Sequence, residues 1–318
     1  MSASEEHEHE LLRRLRAPDA AERQLALIAL EDVASAASID ALICAVGDAD
    51  PTVRRLAVRL LEELGDGRAV AALIAAVDDE AAEVRAAAET ALRELRDPAA
   101  VEDVVGAVSH GSPNVRRAAL VAARELRDER AVPAAIEALG DPEVAVRREA
   151  VVTLGHFQRR DAIEPLRRRL ADAAPDVRRL ALGALAFFRD ATLADAFSER
   201  LRDEDWRVRA EAAIVLGRVR AAGAAEALVA ALADPYWQVQ KEAAVALGAL
   251  RGNSTAPPAL LPLLSSPVAD LRKVAATSLG ALGAREAAPA LRALVDDPDA
   301  EVKKAAVRAL GLVEAAAS

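Results

Sequence analysis

One pattern of apolar, basic and small residues returns every 31 residues along this 318-residue chain. The copies open with an apolar residue and continue with a basic one, except for Gln240, and all of them carry alanine four positions after the opening. The step is 31 residues except for one step of 32 between Val239 and Leu271, and a degenerate first copy opens at Glu22. Such a period predicts an array whose units contact only their neighbours. The alanines are Ala26, Ala57, Ala88, Ala119, Ala150, Ala181, Ala212, Ala243, Ala275 and Ala306.

Each copy contains the signals of two helices. In residues 141–171, Asp141 and Pro142 can begin a helix, and apolar residues then recur at helical spacing. After a short turn, Ile163, Leu166 and Leu170 form the apolar stripe of a second helix. Neither helix can bury its stripe alone, so each pair must stack on the next. The alanine four positions after each opening is expected where paired helices approach closely.

Counting in this register predicts an all-α array. We expect residues 1–18 to form an acidic segment with a capping helix, and residues 19–318 to form nine helix pairs and a closing helix. The total is twenty helices. Apolar residues make up 53% of the chain and aromatic residues 2%, which favours a core of Ala, Leu and Val in closely packed helices.

Three segments carry a family resemblance: DPEVAVRREAVVTLG (residues 141–155), DPYWQVQKEAAVALGAL (residues 234–250) and DPDAEVKKAAVRALG (residues 297–311). The chain resembles the short HEAT-like repeats first named from the phycobilisome bilin lyases. The resemblance implies a right-handed α-solenoid in which the second helices line a concave face. It also implies that the array binds protein partners.

The basic residue after each opening has two interpretations, a phosphate-binding stripe or an internal ladder. Aspartates recur at the copy boundaries, which favours an Arg–Asp ladder that links successive copies. These aspartates are Asp48, Asp79, Asp141, Asp172, Asp203, Asp234 and Asp297.

Composition limits the partners that the chain can bind. The net charge of −10 argues against general affinity for nucleic acid or anionic membranes. Cys44 is the only cysteine, which suits a reducing compartment, and the acidic N-terminus cannot act as a signal peptide. We therefore expect a cytoplasmic monomer without a cofactor.

Catalytic side chains are scarce in this sequence. The pairs His7–Glu8 and His9–Glu10 could hold a divalent metal, but a solvated acidic start is the favoured interpretation. Cys44 has no histidine in its register, so no Cys–His arrangement can be proposed. The sequence favours a non-enzymatic role.

The aromatic residues are concentrated within residues 157–237. By register, Phe157, Phe188 and Phe197 are expected in the core. Trp206 and Trp237 share one column, and packing between repeats is favoured for both. Phe187 and Tyr236 occupy columns that are otherwise polar or small, which predicts exposure. An arginine run at residues 167–169 lies close by, and a solvated face is slightly favoured for it. Arginine and aromatic residues often carry interface energy. The candidate partner-binding residues are Arg168, Arg169, Arg200, Phe187, Tyr236 and Trp237.

These features predict a scaffold whose concave face binds another protein. The partner is expected to carry an acidic segment. Exposed positions of the second helices vary between copies, as a recognition surface requires. Two alternatives remain: a subunit that attaches or handles a bilin, which only the resemblance suggests, and a HEAT-like nucleic-acid binder, which the charge disfavours.

Overall fold

The computed structural model describes residues 3–250 and 252–315, and these residues form twenty α-helices and no strand. The chain divides into two compact units, Met1–Ala162 and Ile163–Ser318, with ten of these helices in each. The all-α class and the number of helices predicted from the register are therefore confirmed. None of the described helices combines the length and apolar character needed to cross a membrane.

The first unit alternates long first helices with short second helices. Four of its five second helices are only seven residues long, so a second helix makes about two turns. The second helices are α1 (Ala3–Arg14), α3 (Ile39–Ala45), α5 (Val70–Ala76), α7 (Val101–Ala107) and α9 (Val132–Ala138). The first helices are α2 (Ala20–Leu30), α4 (Pro51–Leu64), α6 (Ala82–Glu94), α8 (Pro113–Leu126) and α10 (Val144–Phe157).

The second unit follows the same order, and several of its second helices continue into a 3-10 turn. Such turns occupy Arg169–Ala171, Arg200–Arg202, Leu261–Ser265 and Leu294–Asp296. The second helices are α11 (Ile163–Arg168), α13 (Ala194–Glu199), α15 (Ala225–Ala231), α17 (Ala256–Leu260) and α19 (Ala288–Ala293). The first helices are α12 (Pro175–Ala186), α14 (Trp206–Val219), α16 (Trp237–Ala249), α18 (Ala269–Leu282) and α20 (Ala300–Ala315).

Local sequence sets where the first helices begin and end. Asp50 caps α4, because its Oδ1 accepts hydrogen bonds from the backbone N–H groups of Thr52 and Val53 at 2.9 and 3.0 Å. Pro51 follows at the first helical position, where no intrahelical donor is needed. Gly65 ends the helix with a φ of 61°, a left-handed conformation that glycine adopts without strain.

The core consists of small and branched aliphatic residues, as the composition predicts. All ten alanines of the repeated column are buried, with exposed fractions of 0 or 1%. The leucines four positions after these alanines are equally buried in the interior copies, for example Leu61, Leu154 and Leu216. Phe197 is fully buried, as expected, whereas Phe157 and Phe188 are only half-buried. The prediction that all three lie in the core is thus wrong for two of them.

A column of glycines brings successive first helices of the second unit together. A Cβ added to Gly217 would lie 2.9 Å from the Cα of Ala246, and one added to Gly280 would lie 2.7 Å from the Cα of Ala309. These spacings leave no room for a side chain, so the glycines form notches for the next helix. The notches are a feature that the sequence analysis did not identify.

The first described helix is anchored by a buried carboxylate. Glu8 on α1 accepts hydrogen bonds from the backbone N–H of Ser35 at 3.0 Å and the hydroxyl of Ser38 at 2.5 Å. Burial raises the pKa of Glu8, but the bonds from both serines outweigh it and leave that pKa lowered. His7 and His9 are exposed, as a solvated start requires, but Glu8 is a structural anchor.

Candidate binding surface

The arginine after each opening residue belongs to an internal ladder. Its guanidinium bonds an aspartate 25 residues further along the chain, in the next copy. In the clearest case, the Nε and Nη2 of Arg178 lie 2.8 and 2.7 Å from the two carboxylate oxygens of Asp203, and both side chains are buried. The predicted Arg–Asp ladder is confirmed by these pairs: Arg23–Asp48, Arg54–Asp79, Arg116–Asp141, Arg178–Asp203, Arg209–Asp234 and Arg272–Asp297.

The same arginines also close the turn that precedes their own helix. The Nη1 of Arg178 donates to the carbonyl oxygens of Asp172 and Ala173 at 2.9 and 3.1 Å. The hydrogen bonds that Arg178 donates to the Asp203 carboxylate raise the pKa of Arg178, and the bonds that Arg272 donates to Asp297 lower the pKa of Asp297. The ladder arginines are thus occupied within the chain, which removes the basis for a phosphate-binding stripe.

Two copies lack the carboxylate of the ladder. Arg85 still donates to the carbonyl oxygens of Asp79 and Glu80, but the matching position in the next copy is His110. Where the matching position is Ser266, the arginine itself is replaced by Gln240, which donates to the carbonyl oxygen of Asp234 at 2.6 Å. In these two copies the side chain of the arginine column closes the turn although no aspartate is present to bind it.

A groove lies between two second helices of the second unit, α11 and α13. It has a volume of about 400 Å³ and is open to solvent. Its lining carries charges of both signs together with the apolar residues Leu170, Ala171 and Ala196. The charged and hydroxyl-bearing lining residues are Glu164, Arg167, Arg168, Thr192, Asp195, Glu199 and Arg200.

The candidate arginines differ in how freely they face this groove. Arg168 is 71% exposed, with Glu164 at 3.6 Å, and Arg167 is similarly exposed beside the same glutamate. The guanidinium of Arg200 is less available to a partner, because its Nη1 donates to the Leu170 carbonyl oxygen at 3.1 Å. Arg169 is also partly buried and lies 3.5 Å from Asp172. Arg167 and Arg168 therefore form the solvated face that was slightly favoured, and Arg169 and Arg200 belong largely to the turns.

The exposed tyrosine and tryptophan lie at the N-terminal ends of the first helices. Tyr236 stacks on Trp206 of the preceding copy, with ring centroids 5.6 Å apart and planes 11° apart. The ladder guanidinium of Arg209 also lies 5.6 Å from the Tyr236 ring. Tyr236 is 46% exposed, as expected. Trp206 packs between repeats as expected, whereas Trp237, for which the same packing was favoured, is 37% exposed. Arg200 shares this edge, since it lies 3.8 Å from Asp203, whose carbonyl accepts from Arg209.

Phe187 is exposed as predicted but lies at the other end of its layer. It follows the last residue of α12, whereas Tyr236 precedes the first residue of α16. A helix of 12 residues is about 18 Å long, so the two rings lie at opposite edges of parallel first helices. The guanidinium of Arg218 lies 6.0 Å from the Phe187 ring. The six candidate residues therefore do not form one continuous patch.

A second groove, in the first unit, brings together residues that the repeat register keeps apart. Its volume is about 640 Å³, and both Cys44 on α3 and His9 on α1 line it. The cysteine is exposed. The repeat register does not predict that Cys44 and His9 lie close together, because α1 precedes the first full copy. The described residues contain no cluster of three or more His, Cys, Asp or Glu side chains that could hold a metal ion.

The family model described as HEAT repeats matches residues 9–93, 71–153, 132–205, 194–276 and 257–318. The chain belongs to the HEAT-repeat family. HEAT-repeat pairs accordingly account for both the alternating helix order and the ladder that joins successive copies. No curated protein matches the chain.

Several solved structures share this HEAT-repeat fold at low sequence identity. An engineered protein has a TM-score of 0.56 and 22% identity, with 97% of this chain and 99% of that chain covered. YibA of E. coli has a TM-score of 0.53 and 18% identity, with 93% and 98% covered. Kap95 in its complex with Nup1 has a TM-score of 0.65 and 14% identity, with 98% of this chain and 51% of Kap95 covered. These likenesses concern the fold alone.

Proposed function

We propose that this protein is a non-enzymatic scaffold that binds another protein along the second-helix face of its second unit. The observation that carries the proposal is the groove between α11 and α13. Its lining residues Arg168 and Glu199 are exposed, and the column that they share changes from copy to copy, with Ala75, Gly106 and Glu137 before them. The repeated residues, in contrast, are used inside the chain for the core and the ladder. Variable exposed side chains on a repeated frame are what specific recognition requires.

The partner that suits this surface presents an acidic segment to Arg167 and Arg168. Arginine binds carboxylates through paired hydrogen bonds, and both guanidinium groups reach solvent beside the groove. The net charge of −10 supports a protein partner rather than nucleic acid. Structures of Kap95 with RanGDP and with Nup1 support the use of such a fold for binding proteins.

The proposal includes the finer expectations from the sequence. The repeats are of the short phycobilisome-lyase type, and their second helices form the concave face of a right-handed solenoid. The protein acts in the cytoplasm, where a single free cysteine remains reduced. It binds its partner as a monomer in dilute solution, without a cofactor.

The test is capture of the partner from the native cell by a tagged chain, followed by charge reversal. Arg167→Glu with Arg168→Glu should weaken binding at least about tenfold, or about 1.4 kcal/mol, and added salt should weaken binding to the parent chain. Arg169 is left unchanged because it lies in the turn beside Asp172.

The matched control reverses two exposed acids on a second helix of the first unit, Glu102→Lys with Asp103→Lys. Both residues lie in the first turn of α7. The control variant should retain the partner. Retention by the arginine variant together with loss by the control variant would place the binding surface outside the second unit's groove.

A further inference from the structure

One arginine of the ladder has no carboxylate at the position that should bind it. Arg85 lies on α6, and the residue 25 positions further along the chain is His110. In the other copy without an aspartate the arginine is missing as well, because Gln240 takes its place. Arg85 therefore keeps a carboxylate-binding side chain at a rung that contains no carboxylate. We call Arg85, His110 and Gly111 the open rung.

The guanidinium of Arg85 is held as it is in the filled rungs. Its Nη1 donates to the carbonyl oxygens of Asp79 and Glu80 at 2.7 and 2.9 Å, as the Nη1 of Arg178 does at its own turn. In the filled rungs the Nε and Nη2 atoms bond the aspartate. Within the described part of the chain these two atoms of Arg85 have no hydrogen-bond partner, and neither of them is buried. Two oriented donors thus reach solvent.

His110 does not replace the missing carboxylate. Its Nδ1 accepts a hydrogen bond from the backbone N–H of Ser112 at 3.1 Å, as Asp79 accepts one from the N–H of Ala81 at 2.8 Å. Because Nδ1 is the acceptor, the proton of the neutral ring lies on Nε2, which can only donate. A guanidinium also only donates. His110 therefore keeps the turn-capping bond of a ladder aspartate but cannot accept a bond from Arg85.

The open rung is accessible from outside the chain. In the preceding rung the residue after the ladder aspartate is Glu80, whose Oε1 lies 3.3 Å from the guanidinium of Arg54. The open rung has Gly111 at this position, and nothing lies within 4 Å of a Cβ added to it. His110 and Gly111 are both exposed. The place that acidic side chains occupy in the preceding rung is thus free for a ligand.

A carboxylate at the open rung would lie between two arginines. Burial raises the pKa of Asp79, but hydrogen bonds, above all from Arg54, and the charges of Arg54 and Arg85 leave that pKa lowered. Arginines of two copies thus stabilise a ladder carboxylate. At the open rung the second arginine is Arg116, whose Nη1 donates to the His110 carbonyl oxygen at 2.9 Å.

An acidic side chain, Asp78, is bonded to the same turn. Its Oδ1 accepts from the hydroxyl of Ser112 at 2.8 Å and from the side-chain amide of Asn114 at 3.4 Å. It forms no ion pair with Arg85 among the described residues, and it is exposed, so solvent screens its charge. Asp78 therefore leaves the donors of Arg85 available.

We propose that the open rung binds a carboxylate supplied by another molecule, through paired hydrogen bonds from the Nε and Nη2 of Arg85. Five filled rungs show this chemistry, with Nε and Nη2 lying 2.6–3.0 Å from the two carboxylate oxygens. The carboxylate belongs to an acidic side chain of a second protein or to a small free acid. The site lies in the first unit and does not rest on the partner proposed for the second unit's groove.

NMR of the arginine Nε–H signals tests the proposal during a titration with acetate at constant ionic strength. The signal of Arg85 is assigned by its absence from Arg85→Gln, a variant that keeps a turn-closing donor, as Gln240 shows. The Arg85 signal should shift and saturate. The signal of Arg116, whose rung is filled by Asp141, should stay in place. An Arg85 signal that does not respond to acetate would overturn the proposal.

Two further probes identify the source of the carboxylate. A short blocked peptide with one aspartate represents a protein side chain, and inorganic phosphate represents the other anion that an arginine fork can bind. Tighter binding of the peptide than of acetate supports a protein ligand, and equal binding supports a small free acid. A saturable response to phosphate without one to acetate would overturn the proposal.

Filling the rung from within the chain is the complementary test. His110→Asp should weaken acetate binding at Arg85 at least about tenfold and raise the unfolding temperature. Adding Arg85→Gln should remove that rise. The control is His7→Asp, an equal change at an exposed position of α1, which should leave acetate binding unchanged. Acetate binding retained by His110→Asp, or a rise in unfolding temperature that survives Arg85→Gln, would show that the open rung is not the site.

Discussion

At the scale of single residues, the same side chain type serves two purposes in this protein. Arginine of the ladder is buried, bidentate and bonded to backbone, as Arg178 shows. Arginine of the groove is exposed beside a glutamate, as Arg168 shows. An exposed ion pair contributes little to stability, whereas a desolvated and fully bonded pair is costly to break. Removing one member of a ladder pair should therefore destabilise the array more than removing one member of an exposed pair.

Removing a ladder arginine should destabilise the protein. Arg178→Ala removes the guanidinium donors of two carbonyl oxygens and of the buried Asp203 carboxylate, which keeps the backbone N–H of Asp205. We expect a loss of about 2–4 kcal/mol of unfolding free energy, measured by urea denaturation. Arg85→Ala is the control, because it removes the same turn-closing bonds at a copy whose matching position is His110. Equal losses for the two variants would show that the Arg–Asp pairs contribute nothing beyond the turn.

A capping carboxylate predicts a specific dependence on pH. The hydrogen bond from Arg207 is the main reason that the pKa of Asp205 falls from 3.8 to about 2. Because the folded-state pKa is the lower one, the stabilisation is complete above pH 3.8 and disappears as the pH falls through about 2.

Asp205→Ala should cost about 1–2 kcal/mol at pH 7, since Asp205 also caps α14. This cost should shrink towards zero near the pKa of about 2. Thermal unfolding of both chains between neutral and acidic pH measures it. Glu199→Ala, which removes an exposed carboxylate, should leave stability unchanged at every pH. A cost for Asp205→Ala that stays constant down to the lowest pH would contradict the assignment.

At the scale of helices, close packing depends on small residues at two different contacts. The alanine column is buried in every copy, and the glycine notches let α14, α16, α18 and α20 approach one another. Close-packed interiors tolerate additional atoms poorly, because neighbouring helices must shift to make room. The spacing of the first helices is thus set by residues that lack bulk.

One substitution made at two positions of the notch column should have opposite effects. Gly280→Ala places a Cβ 2.7 Å from the Cα of Ala309, so we expect a loss of about 1–3 kcal/mol. Gly311→Ala meets nothing within 4 Å, and the higher helix propensity of alanine should stabilise by up to about 1 kcal/mol. Thermal unfolding of both variants in dilute solution compares them. Equal changes in unfolding temperature for the two variants would contradict the close approach of α20 to Gly280.

At the scale of the whole molecule, the period predicted what neighbouring copies share. The number of helices, the buried alanines and the Arg–Asp ladder could be predicted because each is repeated, and repetition makes a weak local signal unambiguous. The exposure of Tyr236 and Phe187 was also predictable, because each breaks the pattern of its column.

The arrangement of the candidate surface could not be predicted from the register. Whether Arg200 is free depends on the nearby Leu170 carbonyl, and whether Phe187 adjoins Tyr236 depends on which end of a helix each occupies. The notches needed knowledge of which helices touch. Each of these features depends on a contact between different copies. Such contacts follow from how the helices pack and cannot be read from the register of the sequence.

The proposed partner binds the second-helix face of the second unit, and hydrogen exchange can locate the bound face because each peptide reports its own protection. Exchange is measured for the chain alone and with the captured partner. We expect slower exchange in α11 and α13, residues 163–168 and 194–199, with little change in the first helices α12 and α14. Protection confined to α12 and α14, with α11 and α13 unchanged, would contradict binding at this face.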